Sequence, residues 1–311
     1  MMTKPLVSVL LLTKNPGERF KKILQVVLHQ KVISYEVLAV DDGSTDGTVA
    51  LLKRNHVPVY ELKPGEFGHG RTRNFVASRA RGDLLAFLTH DSLPMRSDWL
   101  SQLAEPFFDQ SVAGVFGRQI PKPDSSILER YYLNYLYPVK GREIYISKGR
   151  KFQLPEYFYS NANGMIRKSV WRKNKFPEQV IMSEDQWWAK KVLSKGYKII
   201  YQPSAVAEHS HNYSLKNLFK RNFDSGASLK GLYQAPLLES TFKFFSYILG
   251  EMAFLAKGGQ IRLIPYALAR EIIRALGFVA GRNYDVIPFP LRKAFSMHNY
   301  YWSPLNNTHE R

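Results

Sequence analysis

Carboxylates occur at three separate places in this sequence, each beside the end of a predicted strand or helix. Asp41 and Asp42 follow one apolar run, Asp91 follows another, and Glu184 and Asp185 precede a pair of tryptophans. Chemistry on a nucleotide sugar needs one carboxylate to position the nucleoside and a second to anchor a divalent cation on the diphosphate. It needs a third to remove a proton from an acceptor hydroxyl. The three acidic sites indicate chemistry of this kind.

Helix capping explains part of the same pattern. Asp41-Asp42-Gly43-Ser44 leads from a strand into a helix, and Glu184-Asp185 stands at a helix start, where acidic residues are favoured by the dipole. For the first turn, capping and ligand binding remain equal alternatives. For the second, Trp187-Trp188 provides aromatic faces for a sugar and partial exclusion of water for a base. We therefore interpret Glu184-Asp185 as functional.

Two further segments offer groups that bind metals or phosphates. A hard cation on a diphosphate needs only one or two protein ligands, so Asp91 is a candidate, and His209 or His211 offers a second ligand. An alternating His-Ser-His is a weak metal signal by itself, and Asp91 also fits a helix cap. Gly68-His69-Gly70-Arg71-Thr72-Arg73-Asn74 is a glycine-rich turn into an arginine-bearing helix, which suits a phosphate group. Solvated arginines are the alternative there.

Strands and helices alternate through the first part of the chain. We predict strands over 7–12, 37–40, 57–62 and 84–88, with helices over 20–28, 49–52 and 71–80. This alternation predicts an α/β fold with a mostly parallel sheet covered by helices. Because ligands bind beyond the carboxyl ends of such strands, Thr13, Asp41, Asp42 and Asp91 are expected to line one crevice.

The second half is less regular. Residues 117–158 form a long, Tyr-rich and basic segment that we interpret as a loop. A helix over 184–193 and a strand over 197–201 follow, and amphipathic helices are predicted near 214–232, 237–256 and 260–277. We therefore predict a catalytic domain over residues 1–213 and a helical region over 214–311 that serves in membrane docking or dimerisation.

The composition limits the partners and the compartment. The net charge is +18, and residues 111–311 carry +16 of it. Such a field suits nucleic acid, an anionic membrane or phosphorylated substrates. The chain has no cysteine, which fits a reducing cytosol, and the start, Met1 to Pro5, has no export signal. No apolar run reaches the roughly 20 residues that span a bilayer.

In this order, the motifs resemble glycosyltransferase family 2, the inverting nucleotide-sugar transferases with a GT-A fold. The matching segments over residues 7–213 include 8–15, Asp41-Asp42-Gly43-Ser44, Arg73-Asn74, Thr89-His90-Asp91 and Glu184-Asp185. A closer resemblance is to the bacterial rhamnosyltransferases of this family, and it rests on longer segments. These are 67–74, 87–91, 184–188, 209–214 and Ser296-Met297-His298-Asn299-Tyr300-Tyr301-Trp302. The resemblance to the rhamnosyltransferases implies dTDP-β-L-rhamnose as donor and an O-antigen or other cell-surface glycan as product.

The resemblance also implies roles for single residues. Thr13, Asn15 and Asp42 are expected in the nucleoside pocket, Arg73 on the diphosphate side and Asp185 as the base. Asp91 is expected to bind Mg or Mn with His209 or His211. Sugar or acceptor contacts are expected from His69, Glu184, Trp187 and Trp188. Thr89-x-Asp91 has one carboxylate where many relatives have Asp-x-Asp, so metal dependence is a weaker expectation than the fold.

Several alternatives stay open. A UDP- or GDP-sugar is the alternative donor, and a basic nucleic-acid-binding protein is an alternative of another class, although the sequence has no nucleic-acid-binding signature. The acceptor is a glycan or a polyprenyl-diphosphate-linked saccharide. The basic helices are expected either to dock on the anionic inner leaflet of the cell membrane or to pack as ordinary helices, at a dimer interface. The docking residues would be Lys216, Lys220, Arg221, Lys230, Arg262, Arg270 and Arg274.

Overall fold

A computed structural model describes residues 6–31, 34–146, 157–232 and 237–302. The leading segment from Met1 to Pro5 and residues 147–156 of the predicted loop lie outside the described residues. So do residues 303–311 at the end of the predicted helical region. No helix in the described ranges is long and apolar enough to cross a membrane.

One mixed sheet forms the centre of the described chain. Its strands are β1 (Val7–Thr13), β2 (Tyr35–Asp41), β3 (Val59–Glu61), β4 (Leu84–Thr89), β5 (Leu93–Pro94), β6 (Val112–Ile120), β7 (Arg142–Ile144), β8 (Asn163–Arg167) and β9 (Lys198–Glu208). They lie in the order β3-β2-β1-β4-β8-β6-β9-β5, and β7 pairs with β9. Strands β3, β2, β1 and β4 are parallel, while β8 runs antiparallel to both β4 and β6.

The helices cover the sheet and then continue beyond it. They are α1 (Arg19–Leu28), α2 (Thr48–Arg54), α3 (His69–Arg79), α4 (Trp99–Ala104), α5 (Ile127–Leu136), α6 (Lys168–Lys173), α7 (Glu184–Leu193), α8 (Leu215–Ser228), α9 (Leu237–Lys257), α10 (Ile264–Arg282) and α11 (Phe289–Phe295). Both the α/β architecture and the C-terminal helical region predicted from the sequence are confirmed.

Parallel pairing brings the strand ends that carry polar residues to one edge. Thr13 is level with Asp41 across β1 and β2, and Leu12 is level with Thr89 across β1 and β4. The strands themselves are apolar and buried because helices pack on both faces of the sheet. Hydrophobic clusters form among the buried side chains; one contains Phe20 of α1 and another contains Phe87 of β4. The crevice beyond these strand ends is where ligands bind in such sheets.

The prediction of a loop over 117–158 is wrong for its described part. Strand β6 extends to Ile120, helix α5 follows, and β7 pairs with β9. The side chain of Ser126 caps α5 by accepting a hydrogen bond from the backbone N–H of Glu129, 3.2 Å away. The rings of α5 pack on α9, as in the contact of Tyr131 with Tyr247. Contacts between distant segments therefore order a sequence that has no clear periodicity.

Helices α8 and α10 approach each other through glycines. A Cβ atom on Gly281 would lie 2.0 Å from the backbone oxygen of Phe223, and one on Gly277 would lie 2.5 Å from that of Phe219. Gly226 on α8 faces the backbone oxygen of Phe278 in the same way. Only glycine allows backbones to pack at this distance, so these residues fix how α10 lies on α8.

Candidate active site

Asp91, His209 and His211 form one cluster at the carboxyl edge of the sheet. Asp91 follows β4, and the two histidines follow β9. His209 Nε2 lies 3.4 Å from Asp91 Oδ1, His211 Nε2 lies 3.6 Å from Asp91 Oδ2, and the two Nε2 atoms are 3.1 Å apart. Lys122 Nζ lies 3.8 Å from the same carboxylate. Sequence segments more than 100 residues apart thus supply three ligand atoms to one point.

Surrounding side chains orient these two imidazoles. Nδ1 of His209 lies 2.7 Å from the side-chain oxygen of the buried Gln119, so Nδ1 donates this hydrogen bond and Nε2 is directed to the cluster. The ring of His211 stacks on Tyr213. Burial, followed by the neighbouring His209, lowers the pKa of His211 to about 4, so its imidazole is neutral at physiological pH.

The cluster fits a divalent cation. Three ligands on one face of an octahedron with bonds of about 2.1 Å lie about 3 Å apart. In the cluster the two Nε2 atoms are 3.1 Å apart, and they lie 3.4 and 3.6 Å from the two different oxygens of Asp91. One ligand atom from each of the three residues lies within 4.8 Å of the others. Burial by itself would raise the pKa of Asp91, but the positive charge of protonated His209 and a hydrogen bond from its ring hold it well below its usual value. Asp91 is therefore ionised, and both oxygens face the histidines.

Asp185 lies in the first turn of α7, after Ser183 in the left-handed conformation with φ 61°. The backbone N–H of Asn161 donates to Asp185 Oδ2 at 3.1 Å, and that of Gln186 donates to Oδ1 at 2.9 Å. Burial, and next the carboxylate of Glu184, raise the pKa of Asp185 to about 7, although Arg73 acts in the opposite direction. A carboxylate with such a pKa suits general base catalysis near neutral pH.

A short run of contacts connects this carboxylate to the cation cluster. Gln119, the partner of His209, donates its side-chain N–H to Ser160 Oγ at 3.0 Å. The next residue, Asn161, binds Asp185 through its backbone. Oδ1 of Asn161 is buried without a hydrogen-bond partner among the described residues. A relay of contacts through Gln119, Ser160 and Asn161 therefore leads from the Asp91 cluster to Asp185.

The residues predicted for the nucleoside pocket lie together at the ends of β1 and β2. Thr13 is buried and donates to Asp41 Oδ2 at 2.7 Å. Asn15 accepts from the backbone N–H of Thr45 at 2.8 Å, which ties the two loops together. The side chain of Asp42 is 13% exposed and pairs with Lys14 at 2.6 Å. Asp41 thus holds the turn through Thr13 and Ser44, whereas Asp42 makes an ion pair with the lysine.

Arg73 and Glu184 bind each other, which differs from the separate ligand contacts expected of them. Arg73 Nη1 lies 2.7 Å from Glu184 Oε1, and both side chains are buried. The pair positions α3 against α7 beside Asp185. His69, one turn before Arg73, has a buried Nε2 without a partner among the described residues.

The two tryptophans of α7 lie in different surroundings. Trp188 is 0% exposed and packs on Tyr159 and Phe176 in the core, which contradicts its predicted sugar contact. Trp187 is half-buried and donates its ring N–H to the backbone oxygen of Ser228 on α8 at 2.7 Å. A sugar contact of Trp187 stays a prediction.

The C-terminal segment supplies groups that sequence reasoning did not assign. The ring of His298 lies 5.3 Å from that of His69, and Tyr300 contacts Phe67. Burial, followed by the charges of Asp42 and two other carboxylates, raises the pKa of Tyr300. The hydroxyl of Tyr300 thus lies close enough to Asp42 to interact with its charge. The motif containing these residues was visible in the sequence, but nothing in its spacing indicated that it folds back over α3.

Comparison with known proteins gives a consistent result. The model of the family described as Glycosyl transferase family 2 matches residues 8–174. The O-antigen chain rhamnosyltransferase RfbN of Salmonella typhimurium is 31% identical over 96% of each chain. WbaN of Salmonella anatum, also an O-antigen chain rhamnosyltransferase, is 32% identical over 87% of each chain.

Solved structures share the fold at lower identity. The mannosyltransferase PcManGT from Pyrobaculum calidifontis, in complex with GDP-Man and Mn²⁺, superposes with a TM-score of 0.62 at 15% identity. The match covers 92% of this chain and 89% of that one. TarS residues 1–349 from Staphylococcus aureus gives 0.50 at 14% identity, with 90% of each chain covered.

Proposed function

Because the chain belongs to glycosyl transferase family 2, we propose that it transfers L-rhamnose from dTDP-β-L-rhamnose to a hydroxyl of a cell-surface glycan under construction. Two O-antigen chain rhamnosyltransferases that match most of this chain support rhamnose as the transferred sugar. The observation that carries the reaction type is the arrangement of Asp185 and the Asp91 cluster, joined through Gln119 and Asn161.

Asp185 is the general base. Its carboxylate takes the proton of the acceptor hydroxyl as the hydroxyl oxygen forms a bond to the anomeric carbon. On the opposite face of the sugar, the bond from that carbon to the diphosphate oxygen breaks, and dTDP leaves with the bonding electrons. The configuration inverts in this single displacement. Two backbone N–H groups hold the carboxylate in place, and its pKa of about 7 makes proton uptake favourable at neutral pH.

Asp91, His209 and His211 would hold a divalent cation against the diphosphate. A cation there supplies positive charge to the leaving group, which is commonly the largest contribution to catalysis in such sites. Two imidazoles favour Mn²⁺ over Mg²⁺, because Mg²⁺ prefers an all-oxygen shell. The related fold of PcManGT was solved with Mn²⁺. Lys122 lies beside the same carboxylate and adds positive charge on the diphosphate side.

The remaining residues divide between nucleoside and sugar. Asp42 accepts hydrogen bonds from the base or ribose, in a turn that Thr13 and Asn15 hold in shape. His69 faces the sugar with an unpaired Nε2, and His298 lies against it. Burial is the main reason that both pKa values are low, so both rings are neutral donors or acceptors for sugar hydroxyls.

A donor panel tests this proposal directly. The protein is incubated with dTDP-β-L-rhamnose, UDP-glucose or GDP-mannose, in Mn²⁺ or in EDTA, and release of the nucleoside diphosphate is measured by mass spectrometry. We expect release from dTDP-rhamnose in Mn²⁺ only, and faster release when polyprenyl-diphosphate saccharides from an O-antigen-producing bacterium are added. Preferential turnover of the UDP- or GDP-sugar refutes the donor assignment but keeps the reaction type. No turnover of any donor refutes both.

A further inference from the structure

Helices α9 and α10 present apolar side chains to solvent. On α9, Phe242 is 75% exposed and Leu249 is 68% exposed. On α10, Ile272, Leu276 and Val279 are 57 to 58% exposed, at the spacing of one helix face. Isolated exposed apolar residues are common, but a whole outward face on each of two consecutive helices marks an interaction surface. We call these two faces, together with Phe245, Leu268 and the intervening Ile261, the hairpin surface.

Charged residues in the middle of the same helices point inward. Glu251 and Glu271 are buried, and so is Arg270, which lies 3.4 Å from Glu129 of α5. Arg274 lies 3.4 Å from Glu271 and over the ring of Tyr132. Two of the basic residues expected to dock on a membrane, Arg270 and Arg274, are therefore committed to internal ion pairs. Compared with a typical surface helix, the polarity of α10 is reversed.

The charge at the edge of the hairpin surface has one sign. Lys257 and Arg262 are exposed at the turn between α9 and α10, next to the exposed Ile261. The two carboxylates that the sequence has between positions 242 and 282, Glu251 and Glu271, are both buried. This stretch therefore exposes an apolar face and cations to solvent, and it exposes no carboxylate. Such a surface complements a partner that is apolar inside and anionic outside.

We propose that the hairpin surface docks on an anionic lipid bilayer, with α9 and α10 lying in the boundary between headgroups and acyl chains. Neither helix can span a bilayer, so the contact is with one leaflet. The exposed Phe, Leu and Ile side chains enter the boundary, and Lys257 and Arg262 remain at headgroup level. The proposal concerns attachment and does not depend on the identity of the donor.

The position of the hairpin surface supports this partner. Glu129, which pairs with Arg270 of α10, also accepts a hydrogen bond from the backbone N–H of His211 at 3.3 Å. One side chain therefore separates the docking helix from the cation cluster. Docking at this distance would keep the active site close to the headgroups, where lipid-linked substrates expose their polar ends.

Vesicle flotation of the full-length protein tests the proposal. We expect it to float with vesicles that contain phosphatidylcholine and about 30% phosphatidylglycerol, and weakly or not at all with phosphatidylcholine alone. Two paired variants, Phe245→Gln with Leu249→Gln and Ile272→Gln with Leu276→Gln, are expected to lose most of this binding. The matched control replaces Phe108, which is 89% exposed elsewhere on the protein, with Gln and should float like the native chain.

A second pair of variants separates charge from apolar contact. Lys257→Gln with Arg262→Gln should weaken binding to anionic vesicles about 30-fold, since each cation near such a surface contributes roughly fivefold. Lys21→Gln with Lys22→Gln, on the exposed side of α1, should leave it unchanged. Thermal unfolding of each variant checks that the fold is kept.

Three results would overturn the proposal. The first is that the native chain does not float, and the second is that the variants with Gln at the apolar positions float as well as it does. The third is that the native chain dimerises in analytical ultracentrifugation without binding vesicles and that these Gln variants are monomers, because the surface then covers a second copy. Donor turnover, measured separately without vesicles, is unaffected in each case, so failure of this proposal is distinguishable from failure of the transferase assignment.

Discussion

Replacing Asp185 with Asn tests the proposed reaction most directly. The amide keeps the shape of the side chain but cannot take a proton, and it can no longer accept hydrogen bonds on both of its terminal atoms. Burial beside Glu184 makes the ionised carboxylate of Asp185 unfavourable in the folded chain, and the amide removes this charge. We expect the variant to fold, to bind dTDP and Mn²⁺ like the native chain, and to unfold at an equal or higher temperature at pH 8.

The pKa of Asp185 sets the size of the effect. With a pKa of about 7, half of the molecules hold the carboxylate form at pH 7, about 1% hold it at pH 5 and about 90% at pH 8. The transfer rate of the native chain should therefore fall about 50-fold from pH 7 to pH 5, and rise about twofold from pH 7 to pH 8. The Asn variant should lose about 10²- to 10⁴-fold at pH 8, and its residual rate should not vary with pH across this range.

The assay follows dTDP release from dTDP-rhamnose with a lipid-linked acceptor, between pH 5 and 8. Glu184→Gln is a useful companion, because removing its charge lowers the pKa of Asp185 and should move the acidic limb to lower pH without abolishing turnover. Asp98→Asn, a carboxylate that pairs with Arg96 at the surface, is the matched control. The role of Asp185 as base is refuted if the Asp185→Asn variant keeps more than a tenth of the native rate. It is also refuted if the rate of this variant falls between pH 7 and pH 5 as the native rate does.

Three further predictions address the cation, the helix packing and the core. His209→Ala should abolish Mn²⁺ binding measured by calorimetry, while Gln119→Leu should weaken it 10- to 100-fold because it removes only the group that orients the imidazole. Gly281→Ala should lower stability in urea unfolding by about 2 kcal/mol or more, because its Cβ meets a backbone oxygen, whereas Gly258→Ala should be nearly neutral. Trp188→Ala should lower the free energy of unfolding in urea by about 3 to 5 kcal/mol, as for a core residue. Unchanged stability together with weakened donor binding would instead support the sugar contact predicted for Trp188.

Periodicity and strand-end residues predicted the sheet well because both are local signals. An apolar run such as 7–12 has one favourable use in a chain of this size, a buried strand, and parallel strands must end at one edge. Asp91 could therefore be placed in the crevice before its surroundings were known. The contribution of two histidines to the same point was a weaker inference, because it depends on how β9 lies beside β6 after a separation of about 90 residues.

Side-chain direction and long-range pairing could not be predicted in this way. Trp187 and Trp188 follow Asp185 directly, yet the 100° turn per residue of a helix sends one ring towards α8 and the other into the core. The pairing of Arg73 was not predicted, because its partner, Glu184, is more than 100 residues away. A buried charge is tolerated only when it is paired, and the sequence does not state which pairs form.

The reversed polarity of α10 could not be predicted from the sequence for a similar reason. A helical period identifies two unlike faces, but it does not say which face is inward, and the usual assumption is that apolar residues pack inside. In α10 the glycines at 277 and 281 bring its backbone against α8, and the arginines find Glu129 and Glu271 as partners. Backbone contact and paired charges therefore hold the helix. Its apolar residues are left outward, where water is a poor solvent for them, and the lipid boundary that we propose for the hairpin surface would remove them from water.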